Sequence, residues 1–384
     1  MFTKNIFFKN FKIKKNNLKV KYLLSSLIKE KNEVLLSMGK NYKNSFNNKQ
    51  INKYKNGSNF RVIGMGGSIL GTQAIYDFLE NKVKKKFTFL DNLQVKKEKN
   101  KDKKFTNLIV SKSGNTIETI VNSNIFIKKN HKNIFITENK NNYLFQLAKK
   151  IKAEIIHHNN YIGGRYSVLS EVGMLPAELM GLKSEKFRKY NSLITNKKFL
   201  STLITNVSST LFFIKNKRFN SIIINYDERS ENLFKWYQQL IAESLGKKKK
   251  GLLPIISNMP KDNHSVMQLY LDGFKNNFYT FFYVQENNSE KLKNNLLLKE
   301  LKFLKNKNLS NITYAQKKAT EKVFKIKNIP FRSFEIKRRS EETLGELFTF
   351  FILETILLGK ALNINPYNQP SVELIKKETK KILI

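Results

Sequence analysis

The feature that most restricts this chain is an alternation: short apolar runs end in glycine or hydroxyl residues, and a helix-periodic stretch follows each. Residues 60–63, 87–91, 105–110, 133–137 and 153–157 read as strands, with helices predicted from the turn after residue 64 to about 81, over 116–129 and over 142–152. A lysine-rich connection joins residue 91 to residue 105. Parallel strands need a crossover, and helices supply it, so this rhythm implies a mainly parallel sheet covered on both faces. A second run repeats the style, with strands at 221–226, 251–257, 279–284 and 331–336 and helices near 231–245, 263–275, 290–306, 311–325 and 341–362. The expected fold is α/β: two similar domains, each a sheet flanked by helices, with a cleft between them. Helices at 170–181 and 199–215 bridge the runs, and the polar stretch 184–196 is the expected boundary between domains at 58–190 and 191–364. An amphipathic helix over 18–40 lies in an N-terminal arm of residues 1–57, and a Pro-containing turn with a basic helix forms a tail at 365–384.

Composition narrows the function classes. With 40% hydrophobic and 12% aromatic residues over 384 positions, the chain is globular rather than disordered. A formal net charge of +41 would ordinarily suggest nucleic acid. The lysines, however, lie all along the chain among asparagines, isoleucines and phenylalanines, the mixture that A+T-rich codon usage produces, and no recognition motif accompanies them. No nucleic-acid partner is expected, and the charge would instead speed the arrival of a small anion. The absence of cysteine excludes disulfides, thiolate nucleophiles and Cys-ligated metals. No apolar run approaches the ~18 residues of a membrane span, so no membrane association is expected. Residues 1–16 are basic and acid-free with spaced phenylalanines, as in some organellar leaders. In so lysine-rich a chain the expectation is a cytoplasmic protein whose N-terminal strand or arm packs on the body.

Several strand ends carry chemistry. In Lys104-Phe-Thr-Asn-Leu-Ile-Val-Ser-Lys-Ser-Gly-Asn-Thr-Ile-Glu-Thr119, the residues Ser111, Ser113 and Thr116 reach the start of a helix. Free N–H groups and the helix dipole favour a phosphate there, and Gly114 lets the backbone come close. An ordinary capped turn would use the same residue types. Gly64-Met-Gly-Gly-Ser-Ile-Leu-Gly71 has neither the dinucleotide fingerprint nor the Gly-Lys-Ser ending of a nucleotide loop, yet it brings Gly66, Gly67 and Ser68 to the same sheet edge. Asn160-Tyr-Ile-Gly-Gly-Arg-Tyr-Ser-Val-Leu-Ser170 sets Arg165 in a loop after paired glycines, where it can face a developing oxyanion or form a plain surface ion pair. In Trp236-Tyr-Gln-Gln-Leu-Ile-Ala-Glu-Ser-Leu-Gly-Lys247, Gln239 and Glu243 share a helix face with Trp236 and Leu240. Glu243 is therefore a candidate general base, the alternative being an ion pair with Lys247 one turn on. Asp262-Asn-His-Ser-Val-Met-Gln-Leu-Tyr-Leu-Asp-Gly273 puts His264 at a helix start as a candidate proton carrier. Nothing with ligand spacing accompanies that histidine, so no metal is expected. Asn365-Pro-Tyr-Asn-Gln-Pro-Ser-Val-Glu-Leu-Ile-Lys-Lys377 holds Lys376 one turn beyond Val372.

Taken in order, these segments resemble the phosphoglucose isomerase family. The matching stretches are Gly66-Gly67-Ser68, Ser111-Lys-Ser-Gly-Asn-Thr116, Gly163-Gly-Arg-Tyr-Ser167, Gln239 with Glu243-Ser-Leu-Gly-Lys247, His264, and Gln369-Pro-Ser-Val-Glu-Leu-Ile-Lys376. Ser371 stands where the family usually has glycine, and Lys377 adjoins the matched lysine. The resemblance implies two sugar-isomerase (SIS) domains and reversible isomerisation of glucose 6-phosphate and fructose 6-phosphate through a cis-enediolate. By the same resemblance Ser111, Lys112, Ser113 and Thr116 hold the phosphate, and Gly67, Ser68 and Gln239 line the sugar. His264 with Lys376 opens the ring, Glu243 shuttles the proton, and Arg165 stabilises the enediolate. It further implies a homodimer in which His264 comes from the neighbouring subunit, with no metal or organic cofactor. Two alternatives are a bifunctional phosphoglucose/phosphomannose isomerase, in which threonine tends to replace Gln239, and a non-catalytic sugar-phosphate-binding regulator. The regulator has no use for Glu243, His264 and Lys376 together.

Overall fold

The computed structural model describes residues 3–12, 17–93, 104–286 and 288–384. The lysine-rich connection before residue 105 lies largely outside the described residues, as does part of the basic segment 1–16. In chain order the described strands are β1 (Ile6–Lys9), β2 (Asn59–Gly64), β3 (Lys86–Leu90), β4 (Thr106–Val110), β5 (Lys132–Thr137), β6 (Glu154–His157), β7 (Asn220–Asn225), β8 (Leu253–Asn258), β9 (Asn277–Val284) and β10 (Phe331–Ile336). They form two five-stranded sheets. The first runs β3-β2-β4-β5-β6 and is parallel throughout. The second runs β1-β10-β9-β7-β8 and is parallel apart from β1. The doubled α/β architecture read from the alternation is thus present. Every residue of β4 and of β9 is buried, as befits strands covered on both faces.

The N-terminal strand closes one edge of the second sheet. It lies antiparallel to β10, with Ile6 opposite Ile336 and Phe8 opposite Phe334. Ile6 and Phe8 point inward while Phe7 and Lys9 point outward, so a period of two fixes the register. Against the second sheet packs the helix Glu341–Ala361, apolar nearly all round and buried over almost its whole length, with Phe350 and Phe334 ring centroids 5.6 Å apart. Its phenylalanines grip the helix Glu231–Leu245: Phe348 meets Trp236 with ring centroids 4.8 Å apart, and Phe351 meets Tyr237 at 4.5 Å. That grip fixes Glu231–Leu245 so that its Gln239 and Glu243 line the cleft beyond the first sheet.

Three expected helices differ. The helix expected over 18–40 is two, Leu18–Leu27 and Glu33–Ser37, because Asn32 caps the second by accepting from Val34 N at 2.8 Å. The one expected over 263–275 shrinks to Met267–Asp272, preceded by a 3-10 turn at Lys261–His264 and ended at Gly273. The stretch 290–306 forms only 3-10 turns at Asn294–Leu296 and Lys299–Leu304. Its apolar residues do not settle on one buried face; Leu296 and Leu298 are each 71% exposed, and without packing a short helix is marginal.

Candidate active site

A cleft of about 580 Å³ opens beyond the carboxyl ends of β2 and β4. Strand β2 leaves the sheet at Gly64 and turns through Gly66–Ser68 into the helix Leu70–Phe78. Gly67 lies so near the loop carrying Arg165 that a Cβ there would sit 2.1 Å from the carbonyl carbon of Gly164. Only glycine fits this approach. Strand β4 delivers Ser111 to Thr116. The Thr116 hydroxyl makes no cap bond to the helix Ile117–Phe126; it pairs instead with the Ser111 hydroxyl at 2.9 Å. The helix start therefore presents backbone N–H groups that its own N-cap side chain does not cover, together with two hydroxyls, the donor set an anion needs. Gly114, at φ +65°, holds the turn against Asn142, whose Oδ1 would be 1.8 Å from a Cβ at that position. Lys112 flanks the cup, with Nζ 3.6 Å from Glu138 Oε1. Burial pulls its pKa below the ordinary lysine range, and the Glu138 charge acts in the opposite sense.

The other wall is built around a buried guanidinium. Arg165 is 1% exposed and has all its N–H groups engaged. Nε donates to Ser244 Oγ at 2.8 Å, NH1 to Glu243 Oε2 at 3.3 Å and to Gln369 Oε1, and NH2 to the carbonyls of Pro366 at 2.7 Å and Asn368 at 3.1 Å. Trp236 Nε1 fixes the loop by donating to Arg165 O at 3.1 Å. Glu243 takes a second bond from Gln239 Nε2 at 2.8 Å, while the buried Oε1 of Gln239 has no partner. A buried acceptor left in this state suits a hydroxyl donor from a ligand. The surface ion pairs considered for Arg165 and for Glu243 with Lys247 do not form. Arg165 and Glu243 pair with each other, and Lys247 turns away to Asn365 O and Asn368 Oδ1.

Gly67, Ser68, Ser111, Lys112, Ser113, Thr116, Arg165, Gln239, Glu243 and Lys376 all line this one cleft. Of the two adjacent lysines, Lys376 is the one that lines it. His264 does not: it is exposed on the turn Lys261–His264, past the carboxyl end of β8. Residues given no role from sequence also line the cleft, notably Glu138, Tyr161, Tyr367 and Gln369. Glu138 was discoverable, since it follows the last residue of β5 at the same carboxyl edge. Among the described residues no group of three or more His, Asp or Glu is arranged to hold a metal. The arrangement can hold a dianion at one end and set a carboxylate beside a permanent cation at the other.

Two helix-flanked, mainly parallel sheets, with the cleft beyond the carboxyl edge of the first, make a doubled α/β fold of the sugar-isomerase type. The whole chain superposes with a TM-score of 0.81 on a hypothetical protein from Thermus thermophilus, at 22% identity over 95% of this chain and 94% of that one. A glucose-6-phosphate isomerase from Chlamydia trachomatis superposes with a TM-score of 0.69, at 18% identity over 91% and 73% of the two chains. In sequence, residues 25–384 match the phosphoglucose isomerase family, and a glucose-6-phosphate isomerase from Methanocaldococcus jannaschii is 34% identical over 349 residues, 85% of each chain. The chain belongs to the phosphoglucose isomerase family.

Proposed function

We propose that this chain is an aldose–ketose isomerase that interconverts glucose 6-phosphate and fructose 6-phosphate in glycolysis and gluconeogenesis. The 6-phosphate docks on Ser111, Lys112, Ser113 and Thr116, so that binding energy far from the reacting carbons positions them. Gly67, Ser68 and Gln239 line the sugar, and the orphan Gln239 Oε1 accepts from a hydroxyl. With the ring opened by Lys376 and His264, Glu243 takes the proton from one of C1 and C2 and returns it to the other. Electron density passes into the carbonyl oxygen, giving a cis-enediolate whose negative charge Arg165 balances. The observation that carries this reading is the pairing of Glu243 with the buried Arg165, 3.3 Å apart, in the same cleft as the hydroxyl cup. His264 stands outside the cleft of its own chain, so in this reading the histidine of a second copy completes the site and the working unit is a homodimer. A step of this kind belongs in the cytoplasm, and no described helix is long and apolar enough to cross a membrane.

The test is a coupled assay of purified protein with fructose 6-phosphate in the presence of a chelator, scoring glucose 6-phosphate and mannose 6-phosphate separately. Glucose 6-phosphate is the expected product. No glucose 6-phosphate would overturn the reading, and mannose 6-phosphate at a similar rate would replace it with the bifunctional one.

A further inference from the structure

Four consecutive lysines, 247–250, follow the helix Glu231–Leu245, and codon bias alone would account for them. Their backbone says otherwise. Lys247 and Lys250 pair across a two-residue turn, with N-to-O distances of 3.1 and 2.9 Å. Lys248 and Lys249 at its centre have φ of +52° and +58°, in the left-handed region. Side chains other than Gly and Asn are strained there, and such strain persists only where the surroundings impose it. The turn separates the four side chains into two pairs. Lys248 and Lys249 lie at the exposed tip, whereas the outer two reach back to one segment of backbone. Lys250 Nζ donates to Leu362 O at 3.0 Å, and Lys247 Nζ to Asn365 O at 2.6 Å and Asn368 Oδ1 at 3.3 Å.

That segment, residues 362–370, is the strap joining the helix Glu341–Ala361 to the helix Val372–Leu383, which bears Lys376. Arg165 holds the same strap at Pro366, Asn368 and Gln369, but it has no N–H left for anything further. We infer that Lys247 and Lys250 are positioning residues for the proposed isomerase: they clamp the strap so that Gln369 and Lys376 stand over the cleft opposite Glu243. The inference rests on the function proposed above. Lys247 is half-buried, and burial first, then the neighbouring Arg165 charge, pushes it down to about 8, with Glu243 pulling the other way. Arg165, from the loop after Gly164, and Glu243, in the helix that Lys247 follows, are the charges that act on it. Lys247 is therefore charged below about pH 8 and loses its charge as pH rises beyond it.

The experiment compares the full-length wild type with Lys247→Ala, Lys247→Arg and the double replacement Lys248→Asn with Lys249→Gly. Lys247→Ala is expected to lower kcat about tenfold to a hundredfold while KM moves less than about threefold, as misplaced catalytic groups do. Amide exchange over 362–376 should quicken in the same variant. Lys247→Arg should restore most of both and shift the alkaline fall of kcat from near pH 8 to higher pH. The double replacement fits the turn and keeps the clamp, so kcat should hold. Unchanged kcat and unchanged exchange in Lys247→Ala would overturn the inference, as would loss of kcat in the double replacement. A wild type without isomerase activity would sink the proposed function instead, and the exchange measurement would still decide the clamp.

Discussion

The two sheets share a design and differ at their carboxyl edges. Beyond the first, β2 and β4 end in glycines and hydroxyls, and the edge stays open as a cleft. Beyond the second, a hollow of about 710 Å³ lined by Tyr283, Glu286, Glu335 and Lys337 is bordered by ion pairs. Arg339, following β10, pairs with Asp227 after β7 and with Glu286 after β9, and Lys317 pairs with Glu335 and Glu321. Strand polarity offers both edges as ligand sites. Side-chain chemistry separates them: at the first edge short residues leave backbone donors exposed, whereas at the second the carboxylates that line the hollow, Glu286 and Glu335, are already paired with Arg339 and Lys317. The second half still contributes to the open edge, through the face of Glu231–Leu245 that carries Gln239 and Glu243.

If the contrast is right, changes at the first edge alter turnover and changes at the second alter stability. The largest effect belongs to Glu243→Gln, expected to cut kcat about a thousandfold through loss of the base, with fructose 6-phosphate binding kept within about threefold. Steady-state kinetics beside calorimetric binding checks it, and near-normal kcat would remove Glu243 from the role of base. At the second edge, Arg339→Met leaves the buried Asp227 carboxylate without its cation, a loss of about 3 kcal/mol, while Glu286, partly exposed, still faces Arg229. Urea unfolding should show that loss while kcat/KM per folded molecule stays at the wild-type level; a drop in kcat/KM would blur the division between the edges.

A third effect sets pH against the first sheet. His158, just past β6, is fully buried, and burial pushes its pKa down to about 4. The unfolded chain binds a proton near pH 6.5 that the folded site resists, so this share of stability is whole above pH 6.5 and is lost as pH falls toward 4. The loss is on the order of 3 kcal/mol, and unfolding curves of His158→Asn should lack that acid slope. The smallest effect is Ser111→Ala, which removes one hydroxyl from the cup. KM should rise about tenfold, the worth of one hydrogen bond to a charged group, with kcat nearly unchanged.

The open edge was the more legible of the two in sequence. Glycines 66, 67 and 114 and the hydroxyls 111, 113 and 116 sit next to the strands that place them, so local pattern carries both fold and site. The ion pairs of the second edge were not legible, because Asp227, Glu286 and Arg339 come together only through the order of β7, β9 and β10. For the same reason the engagement of Arg165 with the strap at 366–369, some 200 residues away, had no local signal. The helix expected over 290–306 misled for the converse reason: its leucines follow a helical pattern, but Leu296, Leu298 and Leu301 remain exposed.

The central claim is that a carboxylate moves a proton between two carbons, and the most direct measurement is to run the reaction from fructose 6-phosphate in deuterated water and locate the label by NMR. The account predicts deuterium at C2 of the glucose 6-phosphate formed by the wild type, because the proton held on Glu243 exchanges with solvent before its return, and product and label both slowed about a thousandfold with Glu243→Gln. No deuterium at that carbon even after many turnovers at equilibrium would mean a hydrogen that never exchanges, as in direct hydride transfer, and would contradict it.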